Sequence, residues 1–277
     1  MNACIVGVDG SGPSDAALTW AVTRAVARSL PLVLVHVIED EWGLAGSDFA
    51  TEATYAGEAV LQAAHERVRA MSATVALSER ILHGSPVWEL AHAGDADDLL
   101  VVGTHKTGFL HGRVLGSRSV SLAASAPCSV MVVPVGQSIS RKGVVAGVVW
   151  AEGLDHAVSS AAREAARLDE PLTLVHASPP RPDGVGANDT ETASRQRGLL
   201  ARALEIARSA APDVTVHTRV STRQPVDALL DASRYSSLLV LEPSRRNDPA
   251  TSIVGSTTHG VLMNINSPVL IARSAAI

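Results

Sequence analysis

Lysine is scarce in this chain: Lys106 and Lys142 are the only two, and the net charge is −5. A protein that follows a phosphate backbone needs a stripe of basic side chains, and the arginines of this sequence form no such stripe. The four tryptophans are too scattered to form a stacking platform for bases. We therefore expect no nucleic-acid partner.

Cysteine is equally scarce, because the chain contains only Cys4 and Cys128. Both lie in short apolar runs, with neither the CxxC spacing nor the paired histidines of a zinc site. The pattern predicts two buried core thiols, no disulfide framework and no bound metal.

Long apolar runs are missing too, although hydrophobic residues make up 46% of the chain. A helix needs about 20 consecutive apolar residues to cross a bilayer, and no run approaches that length. The N-terminal sequence MNACIVGVDG passes directly into a strand-like run without a basic flank, which is not typical of a signal peptide. We expect a soluble cytoplasmic protein with no membrane partner.

The chain does contain an internal repeat. Pro31–His36 recurs with one substitution as Pro171–His176, at an offset of 140 residues. Leu99–Val101 recurs as Leu238–Val240, at an offset of 139 residues. The change of offset by one residue fits a single loop deletion, and a repeat of this length predicts two like domains.

We place these domains at residues 1–137 and 138–277, joined through the polar segment Pro134–Gly143. Within each copy, short apolar runs alternate with longer segments of helical period, which is typical of a parallel sheet covered on both faces. The sequence thus predicts an α/β fold with two tandem, doubly wound, parallel five-stranded sheets. The strands expected in the first copy are Cys4–Val8, Leu32–Val37, Thr74–Leu82, Leu99–Gly103 and Val130–Val133.

Two helix starts are marked by their residue types. The first helix is predicted over Asp15–Leu30, because the preceding segment Ser11–Ser14 offers a small polar cap and a proline for the first turn. Pro86 begins the third helix in the same way.

Ligands of doubly wound sheets bind beyond the carboxyl ends of the strands, where the winding reverses direction. In the first copy, this places the candidate site in three loops. They begin at Asp9 and Gly10 after the first strand, at Val37 after the second and at Val102 after the fourth.

The loop after the fourth strand, VGTHKTGFLHGRVLGSRS, is the most informative. Gly103 ends a buried strand, and Gly116-Ser117 opens a helix. Glycines allow a ligand to approach the backbone closely, and free N–H groups with a hydroxyl at a helix start favour an anion. The loop therefore predicts a phosphate site, and a triphosphate is its natural ligand.

This loop closely resembles that of the universal stress protein family, whose nucleotide-binding members carry a Gly-x2-Gly-x9-Gly-Ser/Thr motif after the fourth strand. Gly103 matches the first glycine and Gly116-Ser117 the last pair, whereas Lys106 stands in place of the middle glycine. The resemblance covers both halves, including the opening IVGVDGS and the closing APCSV. It implies a Rossmann-like fold of the adenine nucleotide alpha hydrolase type, with ATP as the ligand of the first domain.

The resemblance also implies roles for individual residues. Asp9 accepts a hydrogen bond near the adenine and ribose end, Val37 lines the adenine slot, and the loop glycines hold the phosphates. The full set implied for nucleotide binding is Asp9, Gly10, Val37, Val102, Gly103, Lys106, Gly108, Arg113, Gly116, Ser117 and Arg118.

Three of these residues have a second interpretation. Lys106 could neutralise a phosphate, or its Cβ could obstruct a backbone conformation that only glycine adopts comfortably. Asp9 could be no more than the N-cap of the first helix, and Arg113 could be an exposed side chain at a helix entry.

The second copy departs further from the motif. A valine in place of the acceptor forms no hydrogen bond to a ribose or base, and a glutamate at the strand end repels phosphate. We expect this domain to bind no ATP and to serve as a structural partner of the first. Position for position, the replacements are Val149 for Asp9, Trp150 for Gly10, Glu242 for Gly103 and Arg245 for Lys106.

Four histidines lie near these loops. His36 and His176 end strands at equivalent positions, which is typical of hydrogen-bonded packing residues. His105 and His111 have no carboxylate or nucleophile positioned beside them, and we expect both to be exposed. The sequence thus offers no general base, and we expect no enzyme, or at most a slow ATPase.

The leading function is a stress-response regulator in which ATP in the first domain alters the interaction with a protein partner. The alternative is a nucleotide-free scaffold, an interaction module that has lost ATP binding. The resemblance also implies that the two domains pair within the chain as a pseudo-dimer through their last strands. Either a monomer or a homodimer of such chains is compatible with that pairing.

Overall fold

The computed structural model describes residues 2–39, 47–105, 117–136, 141–149, 153–179, 190–243 and 254–273. These residues fall into two compact units, one within residues 1–137 and the other within residues 138–273. Strand and helix alternate along each unit. No helix in these described ranges is long and apolar enough to span a membrane.

The first unit contains a five-stranded sheet in the order β3-β2-β1-β4-β5, in which every neighbouring pair is parallel. Its elements are β1 (Cys4–Gly7), α1 (Gly12–Arg28), β2 (Leu32–Ile38), α2 (Ser47–Met71), β3 (Leu77–His83), α3 (Pro86–Ala91), β4 (Leu99–Thr104), α4 (Ser117–Ser125) and β5 (Ser129–Pro134).

The second unit repeats this arrangement in the order β10-β9-β6-β7-β8, again with parallel neighbours. Its elements are β6 (Val144–Gly147), α5 (Leu154–Leu168), β7 (Leu172–Ala177), α6 (Thr190–Ala210), β8 (Val216–Ser221), α7 (Pro225–Ser233), β9 (Leu238–Leu241), α8 (Ser256–Met263) and β10 (Val269–Ile271). The predicted α/β class with two doubly wound five-stranded sheets is confirmed.

The core of each unit is built from its central strands and the small-residue face of the helix beside them. In the first unit, Ala17, Ala21 and Ala25 are fully buried at a spacing of four along α1, which lets the helix backbone approach the sheet closely. Cys4 and Cys128 are also buried, as predicted. Burial raises the pKa of the Cys4 thiol to about 12, so this side chain stays protonated in the folded chain.

Helix α1 and strand β3 differ most from the sequence prediction. Helix α1 begins at Gly12, before the predicted Asp15, because Ser11 caps it. It ends at Arg28 because Ser29 adopts a left-handed conformation, with φ 51°, and closes the last turn. Strand β3 begins at Leu77, after the predicted Thr74, because the chain turns between α2 and β3.

We expect Gly198→Ala to raise the free energy of unfolding by about 0.5–1 kcal/mol. Gly198 lies inside α6, where an added Cβ meets nothing within 4 Å. Gly260→Ala in α8 is the matched contrast, because its Cβ would lie 2.6 Å from Val226 Cγ2 and should lower stability. Urea denaturation measures both, and effects of the same sign would contradict the prediction.

Candidate functional site

The candidate site lies at the carboxyl edge of the first sheet. Strand β1 lies between β2 and β4, and all three run parallel, so their carboxyl ends meet at one edge. The chain leaves β1 toward β2 on one side, while β4 lies on the other. This is the reversal of winding at which doubly wound sheets bind ligands.

The turn between β1 and α1 is organised by Asp9. Its Oδ1 accepts hydrogen bonds from Ser11 N at 2.9 Å and from Ser11 Oγ at 2.5 Å. Ser11 Oγ in turn accepts from Ser14 N at 3.4 Å, which makes Ser11 the N-cap of α1. The N-cap interpretation of Asp9 is therefore wrong: Asp9 holds the capping residue in place.

Asp9 and Gly10 are both exposed at this edge. Gly10 has φ 75°, a left-handed conformation that favours glycine, so the turn requires this residue whether or not a ligand is present. The carboxylate of Asp9 is accessible to a ligand that approaches the end of β1.

Gly103 lies where β4 meets the first turn of α1. A Cβ on Gly103 would lie 2.1 Å from the carbonyl oxygen of Pro13 and 2.8 Å from Ser14 N. These neighbours are backbone atoms, which cannot move aside as a flexible side chain can. Packing of β4 against α1 therefore requires glycine here, independently of any phosphate.

The remaining described candidates lie around the same edge. Val102 is buried beside Gly103, and Val37 is half-buried near the end of β2. Ser117 and Arg118 are the first two residues of α4. Four further candidates lie outside the described residues: Lys106, Gly108, Arg113 and Gly116.

The sequence reasoning missed Glu39. This residue follows β2, and its Oε1 lies 2.5 Å from Nη2 of Arg118 at the start of α4. The two residues are 79 positions apart. Only the order of the strands brings them together, so no local motif could have revealed the pair.

The histidines at the strand ends are packing residues, as predicted. His36 Nδ1 lies 2.8 Å from the carbonyl oxygen of Val8, and His176 Nδ1 lies 2.9 Å from that of Val148. A carbonyl only accepts, so Nδ1 carries the proton in both rings. His105 is exposed, as expected, and His111 lies outside the described residues.

At the corresponding edge of the second unit, Glu242 forms a contact of its own. Its Oε1 accepts a hydrogen bond of 2.7 Å from Gly153 N, immediately before α5. Gly153 corresponds to Pro13, and Glu242 corresponds to Gly103. The contact between strand and helix therefore has its glycine on the strand in the first unit and before the helix in the second. The carboxylate occupies the start of α5, where an incoming anion would be repelled.

The other replacements in the second unit fit this picture. Val149, which replaces Asp9, is 51% exposed and offers no acceptor. Trp150 and Arg245 lie outside the described residues. Among the residues that the structure describes in either unit, no group of three or more His, Cys, Asp or Glu side chains is arranged to hold a metal ion.

Comparison with known proteins agrees with this architecture. A universal stress protein of Mycolicibacterium smegmatis is 31% identical over 287 residues, covering 97% of this chain and 96% of the relative. Another, from Mycobacterium tuberculosis strain H37Rv, is 30% identical over 284 residues, covering 96% and 94%. A crystal structure of a universal stress protein from Archaeoglobus fulgidus shares the fold, with a TM-score of 0.74 at 16% identity over 98% of this chain and 96% of that chain.

The sequence profile of the universal stress protein family matches two segments of this chain, residues 1–134 and 147–273. Together the two matches cover nearly the whole sequence, one in each unit. The chain therefore belongs to the universal stress protein family, as a tandem member with one family unit in each half.

Proposed function

We propose that the first unit binds an adenine nucleotide, ATP by the motif after β4, and that occupancy regulates the interaction of the chain with a protein partner. The observation that best supports this proposal is the difference between the two carboxyl edges. The first edge has an exposed Asp9 beside the Gly10 turn, whereas the second has Val149 and a carboxylate against the helix start.

Binding without turnover is sufficient for this function. A nucleotide regulates when it binds one state of the protein more tightly than another, because occupancy then shifts the population toward that state. His36 has a packing role at the first edge, because its Nδ1 donates to the carbonyl oxygen of Val8 and its ring lies against Gly57 of α2. We therefore propose a regulator rather than an ATPase.

One observation favours a second function, that of a nucleotide-free scaffold. The contact between Gly103 and Pro13 accounts for this glycine by packing alone, without any ligand. In a scaffold, the motif glycine would persist for the fold after binding had been lost.

The test is to denature the purified protein, identify any co-released nucleotide, and titrate the ligand-free protein with ATP. We expect ATP binding that Asp9→Ala weakens by about 10-fold or more, because a hydrogen bond to a charged group contributes roughly 1.5–3 kcal/mol. Nucleotide found neither in the purified protein nor by titration would reject the regulator and favour the scaffold. Continuous release of phosphate, lost in Asp9→Ala, would favour an enzyme.

Two control variants separate ligand contact from local folding. Ser11→Ala removes the hydroxyl that bonds Asp9 and caps α1 but keeps the Asp9 carboxylate. We expect it to lose about 1 kcal/mol of stability with little change in affinity. Val149→Ala alters the equivalent position of the second unit and should leave binding unchanged. Equal losses of affinity in Asp9→Ala and Ser11→Ala would show that Asp9 acts only through the turn.

A further inference from the structure

The ion pair between Glu39 and Arg118 spans the candidate site. Glu39 follows β2 and Arg118 lies in the first turn of α4, which follows β4. Because β1 lies between β2 and β4, the pair bridges the two sides of the β1 end, where Asp9 and Gly10 lie. Neighbouring strands are about 4.8 Å apart, so only long side chains can make this connection.

The pair occurs in the first unit alone. The positions that correspond to Glu39 and Arg118 in the second unit are Pro179 and Thr257, neither of which carries a charge. The same unit that retains the exposed Asp9 therefore also has this charged bridge. Because both units have the same fold, the fold does not require this ion pair. We therefore relate the pair to the candidate ligand site of the first unit.

In this ion pair, Arg118 can exchange the Glu39 carboxylate for another anion. The side chain of Arg118 is 67% exposed and that of Glu39 is 43% exposed, and ion pairs between exposed groups contribute little to stability. A phosphate group carries more negative charge than a carboxylate and accepts paired hydrogen bonds from a guanidinium. A phosphate at this edge would thus be attracted by Arg118 and repelled by Glu39.

We propose that Glu39 is a specificity-determining residue that competes with the nucleotide phosphates for Arg118. This inference rests on the proposed function. Binding of a nucleotide transfers the guanidinium from the Glu39 carboxylate to a phosphate, and the released carboxylate then repels the bound charge. Glu39 therefore lowers affinity for nucleotides, and it does so more for those with more phosphate charge.

A purely structural ion pair leads to a different expectation. If the bridge only held β2 and α4 together, loss of either partner would loosen the edge and weaken binding in the same direction. Competition instead gives opposite signs, because Glu39→Gln frees Arg118 for the ligand while Arg118→Gln removes the ligand's partner. The sign of the Glu39→Gln effect decides between the two roles.

The experiment is calorimetric titration of the full chain with ATP, AMP and adenosine. We expect Glu39→Gln to bind ATP about two- to fivefold more tightly, AMP with a smaller gain and adenosine unchanged, the range that release of an exposed ion pair allows. Arg118→Gln should bind ATP about 10-fold more weakly. In the double variant, Glu39→Gln should give a smaller gain than in the wild-type background, since the contested guanidinium is gone.

Glu79→Gln is the matched control, because it removes one negative charge from β3 of the same unit, where Glu79 pairs with His65. We expect no change of affinity in this variant. Wild-type protein that binds none of the three ligands would overturn the proposed function and this inference together. Wild-type protein that binds ATP, with Glu39→Gln unchanged or weaker, would overturn the role of Glu39 and leave the proposed function intact.

Discussion

Gly103→Ala is expected to destabilise the first unit by more than about 3 kcal/mol. The added Cβ would lie 2.1 Å from the carbonyl oxygen of Pro13 and 2.2 Å from its carbonyl carbon. Relief of this overlap requires β4 to move away from the first turn of α1, which opens the close contact between them. The loss should occur in the absence of nucleotide, because its origin is packing.

The two cysteines give a readout confined to the first unit. Cys4 and Cys128 are both buried there, and the pKa of about 12 for Cys4 keeps its thiol unreactive in the folded state. We expect Gly103→Ala to accelerate alkylation of both thiols and to lower the urea midpoint. Gly12→Ala is the control, since a Cβ at Gly12 meets nothing within 4 Å. Protection of the thiols in Gly103→Ala equal to that in Gly12→Ala would contradict the packing argument.

Arg141→Ala is expected to destabilise the second unit by about 2–4 kcal/mol. The guanidinium donates to the carbonyl oxygen of Arg234 at 3.3 Å, to that of Ser236 at 3.1 Å and to that of Asn266. One side chain thus joins the segment before β6 to the segments that precede β9 and β10. Its removal leaves two partly buried carbonyl groups, those of Ser236 and Asn266, and the exposed carbonyl group of Arg234 without this donor.

Burial lowers the pKa of Arg141, the direction expected when a cation loses water, and the three carbonyl groups compensate by accepting its hydrogen bonds. Arg141→Lys should lose part of the same stability, because an ammonium cannot reproduce the planar fork of a guanidinium. Lys142→Ala is the neighbouring control, with an exposed side chain and an expected change within about 0.5 kcal/mol. Urea denaturation followed by circular dichroism measures all three, and similar midpoints for Arg141→Ala and Lys142→Ala would refute the proposed role of the Arg141 hydrogen bonds.

The glycines of the candidate loop show where sequence reasoning succeeds and where it stops. The sequence pattern places Gly103 at the end of a buried strand, and β4 ends one residue later, at Thr104. The pattern favoured a phosphate site, yet the contact of Gly103 with Pro13 gives an additional reason for glycine. A motif records that a side chain is excluded, and the structure identifies the atoms that exclude it.

Glu242 shows a similar step from residue type to contact. The sequence predicts that this charge disfavours phosphate in the second unit, and the prediction needs only Coulomb's law. The structure adds that the carboxylate accepts a hydrogen bond from Gly153 N. The residue at the strand end thus has a packing role in both units. Gly103 packs because it has no side chain, whereas Glu242 packs through a hydrogen-bonded carboxylate.

The sequence predicts that Arg141 lies in a polar linker, because its neighbours along the chain are polar. Strand β6 begins three residues later, at Val144. The Arg141 side chain nevertheless bonds to carbonyl groups as many as 125 residues away. Local composition predicts where a strand ends and gives no information on which distant carbonyl groups a long side chain reaches.

The sequence by itself determined the doubled α/β unit and the difference between its two copies. Hydrophobic period, helix caps and residue identity are local properties, and they can be compared between the copies position by position. Only the tertiary structure showed that Asp9 bonds to the capping residue of α1, that the Pro13 backbone leaves no room for a Cβ at Gly103 and that Glu39 pairs with Arg118. Two of these contacts join residues brought together by the order of parallel strands, and even the short-range contact of Asp9 depends on which oxygen the turn places nearest to Ser11 N.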